Sequence, residues 1–321
     1  MLRVSASPHV RDKITTSRIM LDVCIALVPA MVASYFIFGS RAIALIVVTV
    51  ASSLFWEWGS RRLMKRENTL GDFSAAVTGI LLAFNLPVGL PLWMAAVGSF
   101  FAIVIGKQIF GGIGMNFANP AILGRIVLLV SFPAQMTTFL VRNDVVQLGK
   151  AAVSQYDLIS QATPLAALKQ GEGSFTYLQL FLGQHGGVIG EVSIVALLIG
   201  AAYLLIRRII GPAIPLTYIG CVMLLVWLAG QDPIYHLLSG GLVLGAFFMA
   251  TDYVTSPITL PGKILFGFGC ALITFLIRIY SNSAEGVSFA ILLMNVLTPH
   301  IDRITKQKPI GGRKSVQNQK F

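Results

Sequence analysis

Long apolar runs separated by short polar pieces dominate the chain. They fall at roughly 19–38, 42–58, 72–86, 92–110 and 119–136, and again at 187–206, 213–230, 234–250, 263–280 and 286–302. Most approach the ~20 residues that a helix needs to cross a hydrocarbon core. The pattern predicts an all-α polytopic membrane protein of about ten transmembrane helices. It divides the chain into a polar leader (1–18), a first five-helix repeat (19–136), a polar interval (137–186), a second five-helix repeat (187–302) and a basic tail (303–321).

The halves resemble each other weakly. Ser74 to Phe84 and Ser239 to Ala250 are both rich in small residues, and each runs into a proline-containing break, Asn85 to Pro91 and Thr251 to Pro257. Five spans per repeat is an odd number, so the second copy is expected to be inverted. Paired breaks in inverted halves mark a membrane-embedded site at their interface. Ordinary Pro/Gly loops between helices are the plainer alternative.

Composition agrees with the membrane reading. Hydrophobic residues make up 55% and charged residues 12%, about half the charge of a soluble domain. The net charge of +11 therefore points to basic residues gathered on the cytoplasmic face, not to nucleic acid. With the N-terminus inside, about eighteen of the 24 Lys and Arg residues lie on one side, while Arg41, Arg142, Lys150 and Lys169 lie on the other. This places both termini in the cytoplasm and the polar interval outside a cell (inner) membrane crossed many times. The apolar stretch after the leader is not closed by a small-residue cleavage site, so no cleavable signal peptide is expected.

Metal and nucleotide chemistry find little support. Cys24, Cys221 and Cys270 each stand alone in apolar runs, and His9, His185, His236 and His300 are scattered, so no metal site is expected. Gly111-Gly112-Ile113-Gly114 follows no strand and lacks the dinucleotide spacing. Ionisable residues in or near spans are Asp22, Glu57, Asp72, Arg125, Glu191, Asp252 and Arg278. Glu57, Asp72, Glu191 and Arg278 lie within about a turn of predicted helix ends and are expected to reach headgroups. Asp252 sits in a break and is the candidate for an ion pathway.

The polar interval holds the most specific stretch, Asp157-Leu158-Ile159-Ser160-Gln161-Ala162-Thr163-Pro164. Thr163 suits the N-cap of a short helix opened by Pro164. The same position suits a phosphate ester, because a helix N-terminus offers free amides and partial positive charge. The stretch resembles the flavinylation motif, Asp-x-x-Ser/Thr-Gly-Ala-Thr, of two related membrane proteins: the D subunits of Rnf complexes and the B subunits of sodium-pumping NADH:quinone reductases. Asp157, Ser160, Ala162 and Thr163 match, and Gln161 stands where the motif has glycine. Ser7-Pro8-His9, Asn119-Pro120-Ala121, and Thr251-Asp252 with Thr255-Ser256-Pro257 are similar to further tracts of the family, in the same order along the chain.

The resemblance implies FMN joined through its phosphate to Thr163, with Asp157, Ser160 and Ala162 as the attachment motif. Some members hold a second, non-covalent flavin such as riboflavin. It further implies a flavin transferase for maturation, and the A, B, C, E and G subunits of an Rnf complex as partners. The activity implied is electron transfer between ferredoxin and NAD, coupled to Na+ or H+ translocation. The short leader favours the Rnf pattern over the B subunit of the quinone reductase. A flavin-free channel or transporter of urea-transporter-like fold is the alternative from another class.

Overall fold

The computed structural model describes residues 15–142, 158–160, 162–170, 175–191, 193–281 and 286–306. Ser7-Pro8-His9, Asp157, Gln161 and most of the basic tail lie outside these residues, as do Lys150 and the rest of residues 1–14; the end of the expected leader, 15–18, is the cap and first turn of α1. Four helices are long and apolar enough to cross a membrane: α1 (Thr16–Phe38), α2 (Ser40–Leu63), α13 (Leu260–Tyr280) and α14 (Val287–Ile304). Five shorter apolar helices accompany them: α3 (Ser74–Phe84), α4 (Leu92–Gln108), α5 (Pro120–Ser131), α9 (Ile194–Ile206) and α10 (Ala213–Leu228). Between α5 and α9 lie the short helix α6 (Pro133–Met136), strands β1 (Leu140–Arg142) and β2 (Leu158–Ser160), α7 (Pro164–Gln170) and α8 (Tyr177–Leu182).

The expected single span over 234–250 is a broken helix. Its first piece is α11 (Pro233–Leu237). Its second, α12, is Leu242–Leu244 continued as a π-helix over Gly245–Met249. Between them Gly240 and Gly241 adopt positive φ, 73° and 63°, a conformation open to glycine at little cost. The apolar run therefore continues in sequence while the helix does not. The start of α3 has a counterpart: Phe73 sits at φ 60°, held by a turn in which the amide of Ser74 donates to Asp72 Oδ1 at 2.8 Å.

Helix packing follows the same plan in both halves. In the first, α2 packs on α3 and α4, α4 on α5, and α3 touches both α1 and α5. In the second, α10 packs on α11, α12 and α13, α13 on α14, and α12 touches both α9 and α14. The halves meet through like elements, α1 on α9 and α5 on α14. The first of these contacts is close enough that a Cβ on Gly200 would strike the carbonyl oxygen of Ala26.

Each break is covered by the opposite half. Pro87 bridges to Val188, the amide of Ile189 donates to Leu86 O at 3.1 Å, and that of Gly190 donates to Phe84 O at 2.9 Å. At the other break Asn119 Nδ2 donates to Met249 O at 3.3 Å. These bonds serve carbonyls that the interrupted helices leave unpaired, which lipid cannot do.

Candidate functional site

Thr163 sits at the head of α7, where the expected helix begins at Pro164. Its Oγ1 accepts from the amide of Ala166 at 3.3 Å, the cap contact read from the sequence. The side chain is only 5% exposed. No described acceptor takes the hydroxyl's own proton, so a donor stands buried and unused, an unfavourable state for a polar group. Of the other motif residues, Ala162 is half-buried beside Thr163. Ser160 ends β2, whose backbone pairs antiparallel with β1 in the register Leu140 to Ser160. Asp157 lies outside the described residues.

β1, the partner of the motif strand, borders an open groove. Leu140, together with Gly89, Pro91, Ala134, Gln135 and Thr138, lines a cavity of about 310 Å³, at the lower end of the range for small-molecule sites.

Contacts with the second half hold α7 in place. Pro164, Leu165 and Ala167 are buried, and Leu165 Cδ1 lies against Gly240. The Tyr235 hydroxyl donates to Pro164 O at 3.1 Å, and Lys169 Nζ donates to Ser281 O at 2.5 Å. Burial, and then the charge of nearby Arg278, lower the pKa of Lys169.

Asp252 follows α12, in the second break. Its Oδ2 accepts from Thr255 Oγ1 at 3.0 Å. It lines a cavity of about 100 Å³ between the halves with Lys107, Asn116, Ser74 and Phe248. Thr163 is not part of that lining. The volume suits a few water molecules and falls short of a typical small-molecule site.

The sequence matches the profile of the NQR2, RnfD, RnfE family over residues 3–311. The chain belongs to this family. It is 49% identical over 314 residues to the D subunit of the Na+-translocating ferredoxin:NAD+ oxidoreductase complex of Acetobacterium woodii, covering 97% of this chain and 95% of that protein. It is 40% identical over 329 residues to the D subunit of the proton-translocating ferredoxin:NAD+ oxidoreductase complex of Clostridium ljungdahlii, covering 97% and 96%. The D subunit of the ion-translocating oxidoreductase complex of Stutzerimonas stutzeri is 41% identical over 327 residues, covering 92% of each. The resemblance read from the scattered tracts is thus matched along nearly the whole chain.

Three of the four charges expected at headgroups lie inside the family fold. Glu57 is fully buried, and both its oxygens accept from Lys107 Nζ, at 3.0 and 2.9 Å. Gln108 Nε2 and Thr69 Oγ1 donate to Glu57 as well, at 3.0 and 2.7 Å. Arg278 is 1% exposed and donates to the carbonyls of His236, Ser239 and Gly240. Glu191, 4% exposed, lines a small enclosed space with Arg125, Asn85 and Ser288. Asp72 is half-buried.

Distance along a helix to its end says how far a side chain must reach for water. It does not say that a partner waits inside. Arg125 is buried, with Nη1 donating to Asn85 Oδ1 at 2.8 Å and Ser288 Oγ at 2.9 Å. Asp22 is 7% exposed and accepts from Tyr203 at 2.8 Å and Arg207 at 3.0 Å. Lys107 is 3% exposed. A lysine inside an apolar run was the available signal for its partner.

Proposed function

We propose that this chain is the flavin-bearing D subunit, in the membrane, of an ion-translocating ferredoxin:NAD+ oxidoreductase complex. Relatives that match over nearly their whole length are named D subunits of Na+- and proton-translocating ferredoxin:NAD+ oxidoreductase complexes. The described residues hold no group of three or more His, Cys, Asp or Glu side chains suited to a metal. A bound cofactor supplies the redox chemistry, and the protein positions it.

One observation carries the flavin reading: the motif threonine sits at a helix start, and among the described residues no acceptor takes its hydroxyl proton. A phosphoester at Oγ1 removes that donor and puts acceptor oxygens beside the Ala166 amide at the start of α7. FMN held there would take one or two electrons. Thr163 would hold it, and Ala162, Ser160 and Asp157 would supply the attachment motif. A tether suits a carrier facing away from the cytoplasm, where a dissociated flavin would be lost.

The remaining architecture follows from the same reading. The like-with-like packing of the halves supports two inverted five-helix repeats. The distribution of basic residues supports cytoplasmic termini and an extracytoplasmic Thr163. The A, B, C, E and G subunits are the expected partners, and a flavin transferase matures the chain. Sodium ions or protons cross the membrane, and Asp252, beside the cavity between the halves, is the candidate ion-pathway residue.

Intact-mass measurement of the co-expressed chain tests the flavin directly. The expected result is one added FMN, lost in Thr163→Ala; an unmodified wild-type chain refutes it. Asp252→Asn is expected to lower ion transport with electron transfer intact, and unchanged coupling removes Asp252 from the pathway.

A further inference from the structure

The residue read as flavin-bearing is closed off in the folded chain. Thr163 is 5% exposed, and its oxygen faces the amide of Ala166. A transferase must bring a phosphorus atom to within roughly 3–3.5 Å of that oxygen, aligned for attack. A side chain this enclosed does not admit an enzyme active site.

Tertiary contacts made by later parts of the chain help to hold the segment closed. Leu165 is 3% exposed against Gly240. The Tyr235 hydroxyl holds Pro164 O at 3.1 Å, and Lys169 reaches Ser281 O at 2.5 Å. These partners belong to α11, the turn after it and the end of α13, all in the second half. The helix they hold is seven residues long, too short to persist by itself in water. Docked, it is ordered and shut. Released, it is a flexible segment with Thr163 open to solvent.

We infer that flavin transfer requires α7 to be undocked, so that the transferase's substrate is the released segment around Thr163. This rests on the reading of Thr163 as the flavin-bearing residue. In the step itself, the Thr163 oxygen attacks the riboflavin-side phosphorus of a flavin dinucleotide. A new P–O ester bond forms as the pyrophosphate P–O bond breaks and a nucleoside monophosphate leaves. The hydroxyl proton passes to a base on the transferase, and no electrons change hands.

The rate at which the folded chain is modified then scales with the fraction of undocked α7. Cutting back a buried leucine shifts such a local equilibrium by about tenfold or more. Removing one hydrogen bond shifts it by about threefold to tenfold.

The full-length chain, expressed without transferase and purified into lipid nanodiscs, is mixed with transferase and FAD, and covalent flavin is followed by in-gel fluorescence. Wild type is expected to label slowly, Tyr235→Phe several-fold faster and Leu165→Ala about tenfold faster or more. All three should reach the same plateau of one flavin per chain, and Thr163→Ala should stay dark. Should Leu165→Ala unfold, Tyr235→Phe carries the comparison, its fold checked by thermal melting. Equal labelling rates in wild type and Tyr235→Phe overturn the inference and leave the flavin reading standing. Absence of flavin from every chain overturns both.

Discussion

The interior of the helical halves and the segment carrying Thr163 solve opposite problems. Inside, charges are locked: Glu57 receives hydrogen bonds from Lys107, Gln108 and Thr69, and Lys107 also reaches Ser74. Around Thr163, a seven-residue helix depends on a few anchors to α11 and the end of α13. The difference teaches that burial alone says little about permanence. Glu57 and Thr163 are both buried. The first is held by several partners within one packed half, and the second by a small element that borrows its order from the other half.

Breaking the inner pair gives the largest expected effect. Lys107→Met leaves the Glu57 carboxylate buried without its cation and should cost about 3–5 kcal/mol, read as a large fall in melting temperature in detergent. Replacing both, Glu57→Gln with Lys107→Met, should recover much of the loss. If the double variant is no more stable than the single one, the two residues do not act as a unit.

Next comes the seam between halves. Gly200→Ala forces a Cβ onto the Ala26 carbonyl and should cost about 1–3 kcal/mol. Gly220→Ala, with open space around its Cβ position, should be neutral or slightly stabilising. Equal melting temperatures for the two variants would mean that α1 and α9 do not approach so closely.

The outer segment should respond locally. Tyr235→Phe removes the bond to Pro164 O and should cost about 1 kcal/mol. The loss should appear as faster hydrogen exchange in 164–170 and little change in the global melt. Cooperative loss of the whole fold would contradict the contrast between the regions.

The smallest effect is expected at Asp232, which caps α11 through the amides of Ile234 and Tyr235 at 2.9 and 3.3 Å and accepts from the Tyr177 hydroxyl. Burial pushes this carboxyl up, but the hydrogen bonds from Tyr177, Tyr235 and Ile234 outweigh it and hold it below the usual carboxylate value. A depressed folded pKa adds stability that is present above the unfolded value and lost as pH falls through the folded one. Protection of the Ile234 and Tyr235 amides should therefore fall in acid below about pH 4 in wild type. Asp232→Asn keeps an acceptor for the cap and should flatten that dependence.

The sequence by itself determined the apolar segments and their order, the two proline breaks, the helix start at Thr163 and the family tracts. All of these are local: a run of apolar residues, a cap or a proline acts through its own neighbours in the chain. Tertiary structure alone decided that 234–250 is split at Gly240 and Gly241, because the run stays apolar through the break and glycine's φ is set by what packs around it. It also decided that Glu57, Glu191 and Arg278 lie inside and not at the headgroups. The physical reason is that the environment of a charge depends on the partners brought to it: Lys107 lies 50 residues from Glu57, and the carbonyls taken by Arg278 lie about 40 residues away, at the end of α11 and in the turn after it. No periodicity or spacing along one helix carries that information.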